Sequence, residues 1–168
     1  LGTALTQEQA RQLATIAHGY GLQPLIATDN DRAGRAAAQR DYWLLTQHNI
    51  DPATITLRPG SDPADLLHLH GPDELLNTLA HTTPLADVRL DERLTHLEGI
   101  AATRQAVIVL AASNPDRWEA GIEQIAEAKG VPAAVVRRDL NAAVARWDRD
   151  PHAAATAQLD PVIAERRG

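Results

Sequence analysis

The sequence contains no cysteine, methionine or phenylalanine, and only five aromatic residues, three Trp and two Tyr. Without cysteine, this segment cannot form disulfides, use a thiolate nucleophile or bind zinc through sulfur. With so few aromatic residues, its core has to be built from leucine, isoleucine, valine and alanine. Because no initiator methionine is present and Leu1 lies inside an apparent motif, we expect the chain to be a segment of a longer protein.

Basic residues and long apolar runs are also scarce. Lys129 is the only lysine beside fifteen arginines, and the 22 acidic residues give a net charge of −6. Nucleic-acid binders usually present a basic face, so any positive surface has to come from local arginine clusters or from other parts of a longer protein. Neither an apolar run of about 18 residues nor a signal-peptide pattern occurs. We therefore expect a cytoplasmic protein without a membrane partner.

Up to about residue 80, helical and strand-like segments alternate. The pattern predicts a helix with a Thr6–Gln9 capping box, a strand at 23–28, a helix from Ala33 to about His48, a strand at 54–57 and a helix from Pro63. Such alternation is typical of right-handed βαβ units on a parallel sheet. We therefore predict an α/β domain over residues 1–83.

From Pro84 onward the periodicity predicts helices alone, over about 85–97, 100–113, 115–129, 132–147 and 151–166. This part is interpreted as an all-α helical bundle over residues 84–168. Trp118 and Trp147 are expected to anchor its core. The seven histidines are scattered, and we expect them on the surface.

Two aspartates at the end of the first predicted strand are the most informative residues of the chain. Residues 25–38 read LIATDNDRAGRAAA, so Asp29 and Asp31 close an apolar run and a helix follows at once. Side chains alternate along an extended segment, so both carboxylates point the same way. They lie at the carboxyl end of a strand, where open α/β sheets bind ligands. Paired carboxylates there suit Mg²⁺ or Mn²⁺.

The residues that follow this pair favour contact with phosphates. Gly34 lets the backbone approach a ligand closely, and Arg32 and Arg35 are placed to contact phosphate groups. This combination predicts metal-dependent phosphoryl-transfer chemistry on nucleic acid. The structural alternative is an ordinary turn in which the aspartates cap the next helix and the arginines are solvated.

Residues 29–37 resemble the Asp-x-Asp-x-Ala-Gly motif of TOPRIM domains, in the form found in DnaG-type bacterial primases. Two other segments agree in order and spacing. Residues 1–6, LGTALT, resemble the segment before a TOPRIM helix, and residues 58–67, RPGSDPADLL, resemble the Pro-x-Gly-x-Asp-Pro-x-x-Leu segment. The resemblance covers about residues 1–90. It implies the C-terminal part of a TOPRIM parallel sheet, followed by a helical subdomain that resembles its primase counterpart only weakly.

The resemblance also implies a metal site. Asp29 and Asp31 correspond to catalytic metal ligands, and Asp62 to a further acidic residue of the metal-binding groove. The second aspartate of the family's Asp-Pro-Asp variant is Ala64 here, so Asp65 is the candidate replacement. The family's glutamate, in a Glu-Gly motif on the first strand, has no counterpart. We therefore expect this chain alone to be catalytically inactive.

The function implied for the full-length parent is nucleotidyl transfer, the synthesis of RNA primers from nucleotides on single-stranded DNA during DNA replication. The parent is interpreted as chromosomal or as carried by a plasmid or other mobile element, with a helicase or relaxase as its partner. A TOPRIM nuclease or topoisomerase is the alternative within the class. A non-catalytic helical module that binds DNA or a replication or conjugation protein is the alternative outside it.

A second candidate site lies at residues 122–140, whose spacing loosely matches a helix-turn-helix motif. Arg137 and Arg138 are its candidate contacts with DNA or a protein partner. The first helix of the pair is acidic, which favours a helical hairpin packed inside the bundle.

Overall fold

The computed structural model describes residues 5–28, 31–55, 57 and 63–165. These residues form helices α1 (Gln7–Tyr20), α2 (Arg32–Thr46), α3 (Pro63–Ala80), α4 (Leu85–His96), α5 (Gly99–Ala112), α6 (Trp118–Lys129), α7 (Ala133–Arg149) and α8 (Pro151–Glu165). They also form strands β1 (Leu25–Ile26), β2 (Ala53–Ile55) and β3 (Thr82–Pro84), and a 3-10 turn, Pro115–Arg117, leads into α6. Every helix predicted from the sequence is present within a few residues of its expected bounds.

The sheet is small and mixed. β1 pairs in parallel with β2, so the predicted parallel pair is confirmed, although both strands are shorter than expected. β3 adds to the other side of β2 in antiparallel orientation, with Thr54 opposite Thr83. Sequence periodicity did not predict β3, because its three residues are too few to show an alternating pattern and they follow α3 almost directly.

Helix α1 begins and ends as its local sequence predicts. The Thr6 hydroxyl accepts a hydrogen bond from the Gln9 amide at 3.2 Å, and the Gln9 side chain accepts one from the Thr6 amide at 2.9 Å. Gly21 ends the helix in the left-handed region, with φ 63°. The spacing of Ile16 with Leu13 and Ala17 predicts an apolar stripe that faces inward, but the Ile16 side chain is 52% exposed, so that prediction is wrong for Ile16. The buried face consists of small residues: Ala10, Ala14 and Ala17.

The C-terminal half of α2 is the centre of the core. Residues 42–46 are each at most 1% exposed, so this part of the helix is surrounded on all sides. The Tyr42 hydroxyl donates to the Val109 carbonyl at 2.8 Å and joins α2 to α5. The rings of Trp43 and Trp147 lie 6.0 Å apart and join α2 to α7. Asp41 accepts a hydrogen bond from the Leu5 amide at 3.1 Å and fixes the start of α1.

The helices after β3 pack as a bundle on this centre. α5 packs against α4, α6 and α7, while α8 packs against α2 and α7. Trp147 is buried and Trp118 is half-buried against the core, as predicted. Six histidines are exposed and His48 is half-buried. One hydrophobic core joins α1 and α2 to the later helices, and the proposed boundary at residues 83 and 84 falls within β3 and stays a prediction.

Candidate metal and phosphate site

The carboxyl ends of β1 and β2 meet at one edge of the sheet because the two strands are parallel. Helix α2 starts after β1, and helix α3 starts after β2. This carboxyl edge is where ligands bind in open α/β sheets. Two of the four candidate metal ligands can be located at this edge. Asp31 is the N-cap of α2, which follows β1, and Asp65 lies in the first turn of α3, which follows β2. Asp29, Asp62 and the segment 1–4 lie outside the described residues.

Asp31 is the N-cap of α2. Its backbone is extended, with φ −122°, and its Oδ1 accepts a hydrogen bond from the Gly34 amide at 2.6 Å. This is the capping role named above as the structural alternative. The side chain is nevertheless exposed, and a carboxylate offers about four lone-pair positions on its two oxygens. Capping and cation binding are therefore compatible at Asp31.

The other predicted contacts surround this cap. Arg32 and Arg35 lie in the first turn of α2 and are exposed, while Gly34 is buried and its amide is used by the cap. Asp65 is exposed in the first turn of α3. Within the described part of the chain, no three His, Cys, Asp or Glu side chains come together as a metal cluster. The carboxylate oxygens at this edge are nevertheless the donor type that Mg²⁺ and Mn²⁺ prefer.

A cavity of about 220 Å³ lies between α2, α4 and the end of β2. Arg35 from α2 and Arg89 and Glu92 from α4 line it, together with Thr28 and Thr54. Arg89 is 3% exposed, and its Nη1 donates to Glu92 at 2.9 Å. Burial lowers the pKa of the Arg89 guanidinium, while the negative charge of Glu92 opposes that change.

Arg89 was not among the site residues predicted from the sequence. One signal was present: Arg89 follows Leu85 by four residues, so the two side chains share one face of α4. Leu85 is 1% exposed, which places Arg89 on the buried face. A charged residue at a core-facing position usually has a partner or a function.

The second candidate site folds as a helical hairpin. Gly130, with φ 63°, ends α6, and Val136 and Leu140 of α7 are buried in the bundle. Arg137 forms an ion pair with Glu119, and Arg138 pairs with its neighbour Asp139. The packing is that of the predicted bundle, and the contacts proposed for the two arginines stay predictions.

Comparison with known proteins places these observations in a family. Residues 1–67 match the family model described as Toprim-like. The chain is 30% identical over 91 residues to a DNA primase of Clostridium acetobutylicum and 35% identical over 79 residues to one of Campylobacter jejuni. Together these matches support a TOPRIM domain of the DnaG primase type in residues 1–67. The two matches cover 54% and 47% of this chain but only 15% and 12% of those primases.

Solved primase structures extend the likeness beyond the TOPRIM segment. The Aquifex aeolicus primase, in a structure of its zinc-binding and RNA polymerase domains, has a TM-score of 0.59 at 25% identity. The matched region covers 81% of this chain and 32% of the Aquifex chain. Since residues 1–83 make up only about half of this chain, the match extends into the helical part. A DNA primase domain from Pseudomonas aeruginosa shares the fold, with a TM-score of 0.56 at 22% identity over 84% of this chain and 46% of that one.

The plasmid or relaxase origin expected from the sequence is not tested by these matches and stays a prediction. Within the part of the chain that the structure describes, no helix is long and apolar enough to span a bilayer.

Proposed function

We propose that this chain is part of a primase that joins nucleotides into an RNA primer on single-stranded DNA. The observation that carries the proposal is the position of Asp31. It caps α2 at the carboxyl edge of the β1–β2 pair, inside the segment that matches the Toprim-like family. The primase relatives support primer synthesis over a TOPRIM nuclease or topoisomerase.

The metal ligands in this proposal are carboxylates at one edge of the sheet: Asp29, Asp31, Asp62 and Asp65. A bound Mg²⁺ or Mn²⁺ supplies positive charge that stabilises the attacking and leaving oxygens of a phosphoryl transfer. The hydrogen bond from the Gly34 amide holds the Asp31 carboxylate in a fixed orientation. A ligand whose rotamer is already fixed loses less conformational entropy when a cation binds.

The arginines have a complementary role in the proposal. Arg32 and Arg35 lie on the first turn of α2 and are exposed beside Asp31. Their guanidinium groups bind the phosphates of nucleotides or of single-stranded DNA and offset the negative charge of the carboxylates. The helices after β3 are proposed to dock the protein partner, a helicase or a relaxase.

The proposal assigns no independent activity to the 168 residues. The TOPRIM glutamate, expected in a Glu-Gly motif on the first strand of the sheet, has no counterpart here, since Glu98–Gly99 lies at the start of α5. Loss of one carboxylate weakens cation binding, since Mg²⁺ is held in such sites by very few protein ligands. Primer synthesis therefore belongs to the full-length parent.

Titration with Mn²⁺, observed as broadening of backbone amide NMR signals, tests the metal site in this chain. We expect broadening to centre on residues 31–35 and on the first turn of α3. The variant Asp29→Asn/Asp31→Asn should abolish it, because asparagine keeps the helix cap but removes both charges. Asp116→Asn, at an exposed position before α6, is the matched control and should leave the broadening unchanged.

Broadening that is diffuse, or that survives in the double variant, would contradict the metal site. The helical interaction module would then be the better account of the chain.

A further inference from the structure

Arg89 is the least exposed charged residue of the described part of the chain. Its Nη1 donates to Glu92 at 2.9 Å and reaches the Arg35 carbonyl at a long 3.5 Å. Its Nε is buried and has no hydrogen-bond partner among the described residues. A buried donor left without a partner is costly, so a site that retains one has an unmet capacity to bind an acceptor.

The cavity beside Arg89 carries an excess of positive charge. Among the described residues that line it, two carry guanidinium groups, Arg35 and Arg89, and one carries a carboxylate, Glu92. Arg93 is half-buried one helical turn further along α4, and its positive charge acts on Arg89. This local excess contrasts with the net charge of −6 of the whole chain. A positively charged cavity with low-dielectric walls attracts anions.

The donor geometry and the size of the cavity select the kind of anion. An arginine binds phosphate in a bidentate manner through parallel N–H groups, and Arg89 has its Nε edge uncommitted while Nη1 holds Glu92. The volume of about 220 Å³ is below the ~300–1,000 Å³ of pockets that enclose a drug-sized ligand. The cavity therefore suits a phosphate group and not a whole nucleotide.

We propose that Arg89 and Arg35 form a phosphate subsite beside the carboxylates of the candidate metal site. The ligand is a phosphate of a nucleotide or of a nucleic-acid backbone. Arg89 lies on α4, beyond residues 1–67, so the helical part contributes a ligand-binding residue directly. The assignment rests on the proposed function, because it takes the carboxyl edge of the sheet as the place where phosphates are handled.

Titration of the 168-residue chain with inorganic pyrophosphate, in the absence of metal, tests this subsite. The readout is the NMR shift of the arginine Nε–Hε signals, assigned by substitution. Arg89→Met should raise the Kd by about tenfold or more, since hydrogen bonds to charged groups contribute about 1.5–3 kcal/mol each. Arg104→Met removes an exposed arginine of α5 and should change the Kd by less than about twofold.

Glu92→Gln should change the pyrophosphate Kd in the opposite direction, in a chain that retains Arg89. Loss of the competing carboxylate should tighten pyrophosphate binding severalfold, an effect that damage to the fold cannot produce. Circular dichroism checks that Arg89→Met is folded. A pyrophosphate Kd that is the same in wild type, Arg89→Met and Glu92→Gln would overturn the subsite.

Two further titrations identify the source of the phosphate. Weaker binding of a nucleoside triphosphate by Arg89→Met assigns the subsite to the nucleotide, and weaker binding of a short single-stranded oligonucleotide assigns it to the nucleic-acid backbone. The Mn²⁺ titration of Arg89→Met separates the two proposals. Broadening retained near Asp31, with pyrophosphate binding unaffected by the substitution, would remove the subsite and leave the proposed function standing.

Discussion

Charged side chains from separate segments pair with one another at the amino edge of the sheet, whereas at the carboxyl edge Asp31 is exposed and Arg89 pairs with Glu92 of its own helix. Each edge retains a buried atom without a described hydrogen-bond partner, Asp51 Oδ1 at the amino edge and Arg89 Nε at the carboxyl edge. At the amino edge, Asp51 precedes β2 and accepts hydrogen bonds from Arg117 Nε at 3.2 Å and from the Asn114 amide at 3.3 Å. Nη1 of the same arginine contacts both oxygens of Asp87, at 2.8 and 2.7 Å. At the carboxyl edge, Asp31 caps a helix but stays exposed, and the Nε of Arg89 has no described partner.

Cavity size alone would point to the amino edge, away from the proposed site. A larger cavity, of about 720 Å³, lies at the amino edge, where Asp51, Arg117 and Trp118 line it. Arg117 in this cavity already pairs with the carboxylates of Asp51 and Asp87, and these ion pairs join the segment before β2 to α4. Ion pairs between separate elements hold those elements together, while at the carboxyl edge the exposed Asp31 carboxylate and the Nε donor of Arg89 stay open to a ligand.

The largest expected effect comes from breaking the amino-edge network. Arg117→Met leaves the largely buried Asp51 carboxylate without its cation, so we expect the free energy of unfolding to fall by about 3 kcal/mol. Urea unfolding followed by circular dichroism measures it. A loss below about 0.5 kcal/mol, the range of exposed pairs, would show that the network does not stabilise the fold.

The Asp31 cap is expected to matter less for stability. Asp31→Ala removes the acceptor of the Gly34 amide and should cost about 1 kcal/mol of unfolding free energy. Asp31→Asn retains an acceptor and should stay within a few tenths of a kcal/mol of wild type. Denaturant midpoints of the three proteins compare them. Equal stability of the alanine and wild-type chains would mean that the cap contributes nothing.

The Asp51 carboxyl at the amino edge should also affect how the free energy of unfolding depends on pH. Burial raises the pKa of the Asp51 carboxyl, although the Asn114 amide and Arg117 oppose the rise. A carboxyl with a higher pKa in the folded than in the unfolded chain binds more protons when folded, so its contribution to stability falls as pH rises between the two pKa values. Wild type should therefore lose stability relative to Asp51→Asn as pH rises above about 4, by less than the ~1.4 kcal/mol per pH unit that one proton allows.

Unfolding free energies of wild type and Asp51→Asn, measured across that pH range, test the sign. Curves that stay parallel would show that the Asp51 pKa is the same in the folded and unfolded chains.

The smallest effect is expected at the surface pair between α6 and α7. Arg137 and Glu119 are both well exposed, with side-chain exposures of 47% and 73%. Arg137→Met should change the free energy of unfolding by less than about 0.5 kcal/mol, because water and salt screen exposed ion pairs. The same urea experiment measures it beside Arg117→Met. A loss of unfolding free energy as large as that of Arg117→Met would show that this exposed pair stabilises the fold as much as the amino-edge network does.

Much of the fold was predictable because it depends on neighbours in sequence. The Thr6–Gln9 capping box, the start of α2 next to Asp31 and the end of α6 at Lys129 are set within a few residues of chain, and the sequence predicted all three to within two residues. The parallel β1–β2 pair also followed from the alternation of helix and strand. The same local patterns predicted the position of three residues of the candidate site: Asp31 and the adjoining Arg32 and Arg35.

The features that the sequence predicted wrongly or not at all share a physical cause. Ile16 was expected inside because it fits an apolar stripe, yet α1 packs through its alanines and leaves Ile16 exposed. β3 forms because β2 offers it a free edge, which no signal within three residues reveals. In both cases the partner surface, and not the intrinsic preference of the segment, determines the outcome.

Local signals in the sequence therefore suffice for the helices, the parallel strand pair and the acidic end of β1, since capping, periodicity and turn chemistry act over short stretches of chain. Contacts between distant segments settle the rest. They bring Arg89 of α4 against Arg35 of α2 and Arg117 against Asp51. Such pairs are 54 and 66 residues apart in sequence, so their charges meet only when the shared core has formed.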